Sequence, residues 1–298
     1  MYEHWRAPQC YSSHSWTKNW LFFAGDLGQR IFQQPFSWKA AGADVRGRST
    51  TLKINYRTSH QIRKSISYGK VVPVPATLDW DLFQGLAPRQ EYNDNVQPYN
   101  WHWFKTSDTG ESLNNGTHEI DVAHWALGVD YPRNVTSTAG RFQFKADWQF
   151  YDTMMTSFDY DDAMISWEGK CCNGMKYYGR DRGVAVMGTT GSVIVDCDGY
   201  EIYDLKVKKT SEYKADKTAT SSTDLIGRDS MTDLHFANFI AGIQTGAKLH
   251  QPVAQGNVAV MMLQLSNVAW EVNRELHLDT TDGKVLNDPA AMKYWGRE

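Results

Sequence analysis

The chain of 298 residues is poor in the features that would announce a chemistry at once. Its 4 cysteines, Cys10, Cys171, Cys172 and Cys197, match neither a zinc-ligand spacing nor a disulfide framework. No H-E-x-x-H is present despite the dipeptide His118-Glu119, and no G-x-S-x-G elbow exists to carry a serine hydrolase, so no metal site is expected. A G-x-x-x-x-G-K-S/T cradle is missing, and so is a G-x-G-x-x-G after a predicted strand. The chain therefore offers no visible phosphate or dinucleotide site. No stretch approaches the roughly 18 apolar residues of a membrane span, and the start MYEHWRAPQCYSSHSW lacks the basic and apolar regions of an export signal. A cytoplasmic protein without a membrane partner is expected. Charges nearly balance at a net −3, so nucleic acid is not an expected partner.

What is present is a globular composition, 41% apolar and 22% charged, with many rings: Trp 12, Tyr 15 and Phe 12. Many lie between Trp80 and Trp167, where rings serve core packing, subunit contacts or the apolar faces of sugars. The Pro- and Asp-rich stretch 64–100 is too broken for a long helix and reads as an ordered excursion anchored by Trp80, Leu82, Phe83 and Trp101. Thr117–Leu127 has helical spacing, with Thr117 as N-cap and Ile120, Ala123, Ala126 and Leu127 as its apolar stripe. Phe142, Phe144, Ala146, Trp148 and Phe150 alternate as in a half-buried strand over 141–150. Strands are predicted at 153–160, 164–169, 183–187, 192–196 and 200–207, joined by turns that favour antiparallel pairing. A polar loop is predicted at 206–229, then two helices, the second with Val258, Met261, Met262, Leu265, Val268 and Val272 on one face. The fold class is α+β, a large and mostly antiparallel open sheet with helices on one face and no Rossmann domain. The other face, expected to be rich in Phe and Trp, would then be covered by a homodimer or homotetramer.

His118 is the sharpest catalytic candidate. It stands at the predicted first turn of a helix after the loop Asn114-Asn115-Gly116, where the positive helix end keeps an imidazole neutral and able to accept a proton. Asn114 and Asn115 are placed to orient a hydroxyl-rich ligand beside it. His102 and its neighbour Trp103, in Asn100-Trp101-His102-Trp103-Phe104, are further candidates for ligand contact. Lys105, Asp108 and Glu111 flank a turn and read as solvated charges.

Two resemblances attach to these residues. Gly25-Asp26-Leu27-Gly28-Gln29 followed by Asn55-Tyr56-Arg57-Thr58 is similar to motifs of UvrD-like superfamily helicases over residues 20–62. That likeness implies nucleotide-sensing roles for Gln29 and Arg57, roles that are empty without a phosphate cradle. Residues 66–298 resemble the C-terminal part of the Gfo/Idh/MocA oxidoreductases, through GKVVPVPATLDWDLFQGLAPR, PYNWHWF, NNGTHEIDVAHWALG and GVAVMGTTGSVIVDCDGYEIYD. The resemblance implies NAD(P)-dependent oxidation of a sugar or cyclic polyol, with His118 as general base and the substrate against the sheet. It also implies an acid at position 114, where this chain has Asn114, and Lys105 at a pocket edge where many relatives carry Trp. NAD or NADP would be held in intact relatives by an N-terminal domain that has no counterpart here, so no cofactor is expected in this chain alone. The expected organisation is a helicase-like fragment, 1–63, and a substrate and oligomerisation domain, 64–298, inactive by itself. Two alternatives stand beside this reading, a non-catalytic carbohydrate-binding or oligomerisation module and an NAD-dependent glycosidase-like relative.

Overall fold

The computed structural model describes residues 50–57, 64–196, 199–214 and 230–295. Nine strands make one sheet in the order β8-β7-β6-β5-β1-β4-β3-β2-β9. They are β1 (Thr50–Arg57), β2 (Asn134–Gly140), β3 (Thr153–Asp159), β4 (Ala163–Lys170), β5 (Gly183–Met187), β6 (Ser192–Asp196), β7 (Gly199–Tyr203), β8 (Lys209–Lys214) and β9 (Leu276–His277). Every neighbouring pair is antiparallel except β1 with β4. Tight turns explain the pairing. Tyr160 N–H donates to Ala163 O (2.9 Å) across the β3–β4 turn, and Gly188 N–H to Gly191 O (2.8 Å) across β5–β6. β1 comes from the segment expected to stand apart, and it is hydrogen-bonded on both edges, with Leu52 in register with Ile165 of β4 and Val186 of β5.

Helices α1 (Trp80–Gln84), α2 (Thr117–Leu127), α3 (Ser230–Thr245), α4 (Val253–Val272) and α5 (Pro289–Met292) complete the described fold. α2 packs on β1, β4 and β5 and against α4, and α4 packs on β2. The stripe predicted for α4 is the one that is buried, with Val258, Met261, Met262 and Leu265 all inside. Together with Met154, Phe158, Ile165 and Trp167 from the strands they form the core between sheet and helices. Burying such aliphatic side chains is worth about 1.5–3 kcal/mol each.

Several expectations need correction. No strand forms over 141–150, although burial alternates from Phe144 on as predicted, with Phe144, Ala146, Trp148 and Phe150 inside and Gln143, Lys145 and Gln149 outside; Phe142, expected inside, is exposed. The segment is tied instead by single contacts. The Asp152 carboxylate accepts from the amides of Gln143 (2.8 Å) and Phe144 (3.0 Å), and Gln149 N–H donates to Trp103 O (2.9 Å). Leu82 is 78% exposed and anchors nothing, because α1 turns Trp80 and Phe83 inward instead. β8 lies inside the predicted loop 206–229, a lysine-flanked edge strand of the kind that blunts further pairing. The open face of β3 and β4 carries neither Phe nor Trp. Met155, Ser157, Ser166, Glu168 and Lys170 lie between the positions of β3 and β4 that face the helices, whereas Phe158, Ile165 and Trp167 are buried on the helix side. The helicase-like Gly25–Gln29, Cys10 and Cys197 fall outside the described residues.

Candidate functional site

The site grows from one irregular turn. Ser112–Gly116 is a single π-helical turn that runs directly into α2, a widening common at functional sites because it turns side chains out of the regular helical order. Gly116 is needed there for space, since a Cβ would sit 2.9 Å from the Trp167 indole. The helix therefore starts before Thr117, whose hydroxyl donates back to Leu113 O (3.0 Å) and caps nothing. The expected exposed helix end at His118 is absent. Burial, not a helix dipole, keeps that imidazole neutral.

Around this turn lies a buried polar cluster. Glu111, fully buried, accepts from Asn115 Nδ2 (2.8 Å) and Asn114 Nδ2 (3.4 Å), and Asn114 Nδ2 also reaches the Tyr99 hydroxyl (3.3 Å). His118 reaches the surface in part, but its Nδ1 is enclosed. Desolvation, and secondarily the Arg182 charge, bring its pKa down to about 3. Glu119 Oε1 accepts from Arg182 Nε (3.0 Å) and Nη2 (3.0 Å). Desolvation nonetheless lifts that carboxyl to about 7 against the Arg182 charge. Asp121 is likewise raised by burial to about 7, opposed by a hydrogen bond from Gln251 Nε2. The anchor beneath the turn is Asn267 of α4, whose Nδ2 donates to Thr109 O (2.8 Å) and whose Oδ1 accepts from Ser112 Oγ (3.2 Å) and Tyr151 (2.9 Å).

Of the predicted residues, Asn114, Asn115 and His118 come together on this turn. His102 joins them through Tyr99, whose ring meets the imidazole edge-on at 4.4 Å. It is itself fully buried, stacked on Trp101 (3.8 Å), with Nδ1 bonded to the Asp108 carboxylate. Trp103 is 1% exposed and stacked on Trp148 at 3.9 Å, inside the core. Lys105 turns to α4, pairing with Glu271 while its Nζ lies 5.0 Å from the Trp270 ring centre.

Sequence reasoning missed Glu111, Tyr99 and Arg182. Glu111 had a signal, since it stands three and four residues before the two asparagines, the spacing that brings helical side chains together. Arg182, far along the chain, had none. It lines a shallow depression with Tyr177, Tyr178, Arg180 and Gly183. Tyr177 and Arg180 exchange backbone hydrogen bonds (3.0 and 2.8 Å) around Tyr178 and Gly179, at φ +53° and +73°. That two-residue turn requires the left-handed region twice, which a tyrosine adopts at a cost. Lys170 and Glu168 pair on the adjoining strand, and both contact the Tyr177 hydroxyl.

Among the described residues no group of His, Cys, Asp or Glu could hold a metal ion, and no helix is long and apolar enough to cross a membrane. Among the described residues every neighbouring strand pair but β1 with β4 is antiparallel, so no Rossmann-type dinucleotide fold is present there.

Residues 56–194 match the family model described as the GFO/IDH/MocA C-terminal domain. No curated protein matches the chain. Among solved structures it is similar to a levoglucosan dehydrogenase in complex with NADH, at 13% identity and TM-score 0.56 over 88% of this chain and 65% of that one. It is also similar to an oxidoreductase domain protein from Kribbella flavida, at 12% and 0.54 over 85% and 64%. The WlbA dehydrogenase from Bordetella pertussis, in complex with NADH and UDP-GlcNAcA, gives 12% and 0.50 over 85% and 62%. Identities this low speak for the fold alone. The chain thus spans 62% to 65% of the length of these structures.

Proposed function

We propose that this chain is the substrate-side domain of an NAD(P)-linked oxidoreductase for sugars or cyclic polyols, and that by itself it binds such a ligand without turning it over. The observation that carries this is the buried cluster at the π-turn, where a neutral His118 stands beside two asparagines held by one carboxylate. A neutral imidazole next to amide oxygens is what a substrate hydroxyl needs when it must lose its proton. The likeness to a levoglucosan dehydrogenase solved in complex with NADH and levoglucosan supports the substrate class. Hydride transfer also requires a nicotinamide at near-contact distance, which the described residues do not supply.

The second reading, a carbohydrate-binding or oligomerisation module, is favoured by the lack of a Rossmann-type fold among the described residues. The open sheet face, polar and flanked by the Glu168–Lys170 pair, is the surface through which a homodimer would form. The helicase-like motifs take no part. Gly25–Gln29 lie outside the described residues, and Arg57 is the last residue of β1.

The test is calorimetric titration of the folded 298-residue protein with NAD+, NADH, NADP+ and NADPH, and separately with neutral polyols. Millimolar polyol binding with no heat from any dinucleotide is the expected result. Micromolar dinucleotide binding would overturn the claim of inactivity and call for a substrate screen. Absence of polyol binding would remove the sugar reading.

A further inference from the structure

Glu111 was expected to be a solvated turn residue, and it is instead a fully buried carboxylate. Its carboxyl oxygens accept from both neighbouring amides, whose nitrogens turn toward it. Asn115 does so at 2.8 Å and Asn114 at 3.4 Å. The second N–H of Asn114 is spent on the Tyr99 hydroxyl at 3.3 Å. With both of its donors committed, Asn114 keeps only its carbonyl oxygen for anything that arrives. Tyr99 is 42% exposed, so the cluster meets solvent on that side.

We propose that Glu111 is a positioning residue that locks Asn114 and Asn115 as acceptors, so that the site selects ligands by their hydroxyl donors and turns away carboxylates. This rests on the reading of the site as a polyol site and adds its polarity. A carboxylate ligand would meet amide oxygens, acceptor against acceptor, and leave its own oxygens without donors there. A neutral cyclic polyol would find acceptors and donate to them. The substitution of an amide for the acid implied at position 114 then has a physical role, because only an amide has N–H groups to give to Glu111 and Tyr99.

Three proteins test it: the unmodified chain, Glu111→Gln, and the double variant Glu111→Gln with Asn114→Asp. In the double variant the glutamine amide donates to the new aspartate, so the bond is kept with its polarity reversed and position 114 still accepts. The first readout is the side-chain amide NMR signals of Asn114 and Asn115, which require no ligand. The lock predicts slowly exchanging, shifted signals for both in the unmodified chain, altered for both in Glu111→Gln. The second readout is binding of myo-inositol and of glucuronate. Inositol affinity is expected to fall at least tenfold in Glu111→Gln and to return to within threefold in the double variant, with glucuronate binding weaker than inositol in the unmodified chain. Should Glu111→Gln not fold, the double variant carries the test alone.

Amide signals unchanged on replacement of Glu111 would overturn the lock even if inositol binds. Glucuronate bound more tightly than inositol by the unmodified chain would overturn the selection. A chain that binds neither compound would sink the polyol reading together with the ligand selection, and the amide signals would then decide the lock on their own.

Discussion

Helices α2 and α3 are built inside out with respect to each other. α2 buries Glu119, Asp121 and His124, each 4% exposed, against the sheet and α4. α3 leaves Phe236, Phe239, Ile240 and Ile243 between 46% and 70% exposed, at the three- and four-residue spacing of one helical face. Polarity alone would have exchanged the two. Position in the fold decides instead. α2 lies across the centre of the sheet, where counter-groups reach its charges from elsewhere in the chain: Arg182 for Glu119, Gln251 for Asp121 and, at 3.9 Å, Asp130 for His124. Buried charge without such partners is not tolerated, so α2 can bury its acids only because distant residues complete them.

The largest effect should come from removing one of those partners. Arg182→Ala leaves Glu119 buried and unpaired, and breaking a buried pair costs about 3–5 kcal/mol when the remaining group stays charged. Arg182 is 31% exposed, so the lower end, about 3 kcal/mol, is expected at pH 8. The loss should shrink toward pH 5, where Glu119, already lifted to about 7, is protonated in either protein. Urea unfolding at both pH values checks this, and an equal loss at both would show that the guanidinium acts through packing and not through charge.

A middle-sized effect separates the acids of α2 from its histidine. Glu119 rises from 4.5 to about 7 and Asp121 from 3.8 to about 7, so between these limits the folded chain holds protons that the unfolded chain has lost. Their contribution to stability falls as pH rises through that window. His118 runs the other way. Its fall from 6.5 to about 3 means that the unfolded chain gains a proton the folded one refuses, so stability rises with pH from about 3 to 6.5. In the unmodified chain these slopes oppose each other. His118→Gln removes one of them, and relative to the parent the variant should gain about 1.4 kcal/mol per pH unit on acidification from pH 6 to 5. A pH-independent difference in urea midpoints would mean that the imidazole is solvated.

The same contrast explains what the sequence could and could not disclose. The body of α2 was legible because its apolar spacing is local, though its start was not, and β5 and β6 were legible because short branched runs sit between glycine turns. The alternation over 141–150 was read correctly as burial and wrongly as a strand, since period two measures which side chains face inward and not which amides pair. β2 was missed because Asn134–Gly140 is polar and small, and β8 because its lysines resemble a loop. In the proposed site, Asn114, Asn115 and His118 were nominated from one contiguous motif. Arg182 was not, because a buried acid announces its need for a partner in three dimensions only.

The smallest effect belongs to α3. Ile243 is 70% exposed, and the described residues place no element across its helix face. Replacing it by Lys removes little buried area and puts a comparable or better helix former at a solvated position, so stability should change by no more than about 0.5 kcal/mol. Binding of a hydrophobic dye should fall at the same time, because Ile243 ends an apolar stripe long enough to be felt as a patch. A loss above about 2 kcal/mol would be the size expected for a packed core position. It would mean that the α3 stripe is covered in solution and that the two helices differ in partner rather than in exposure.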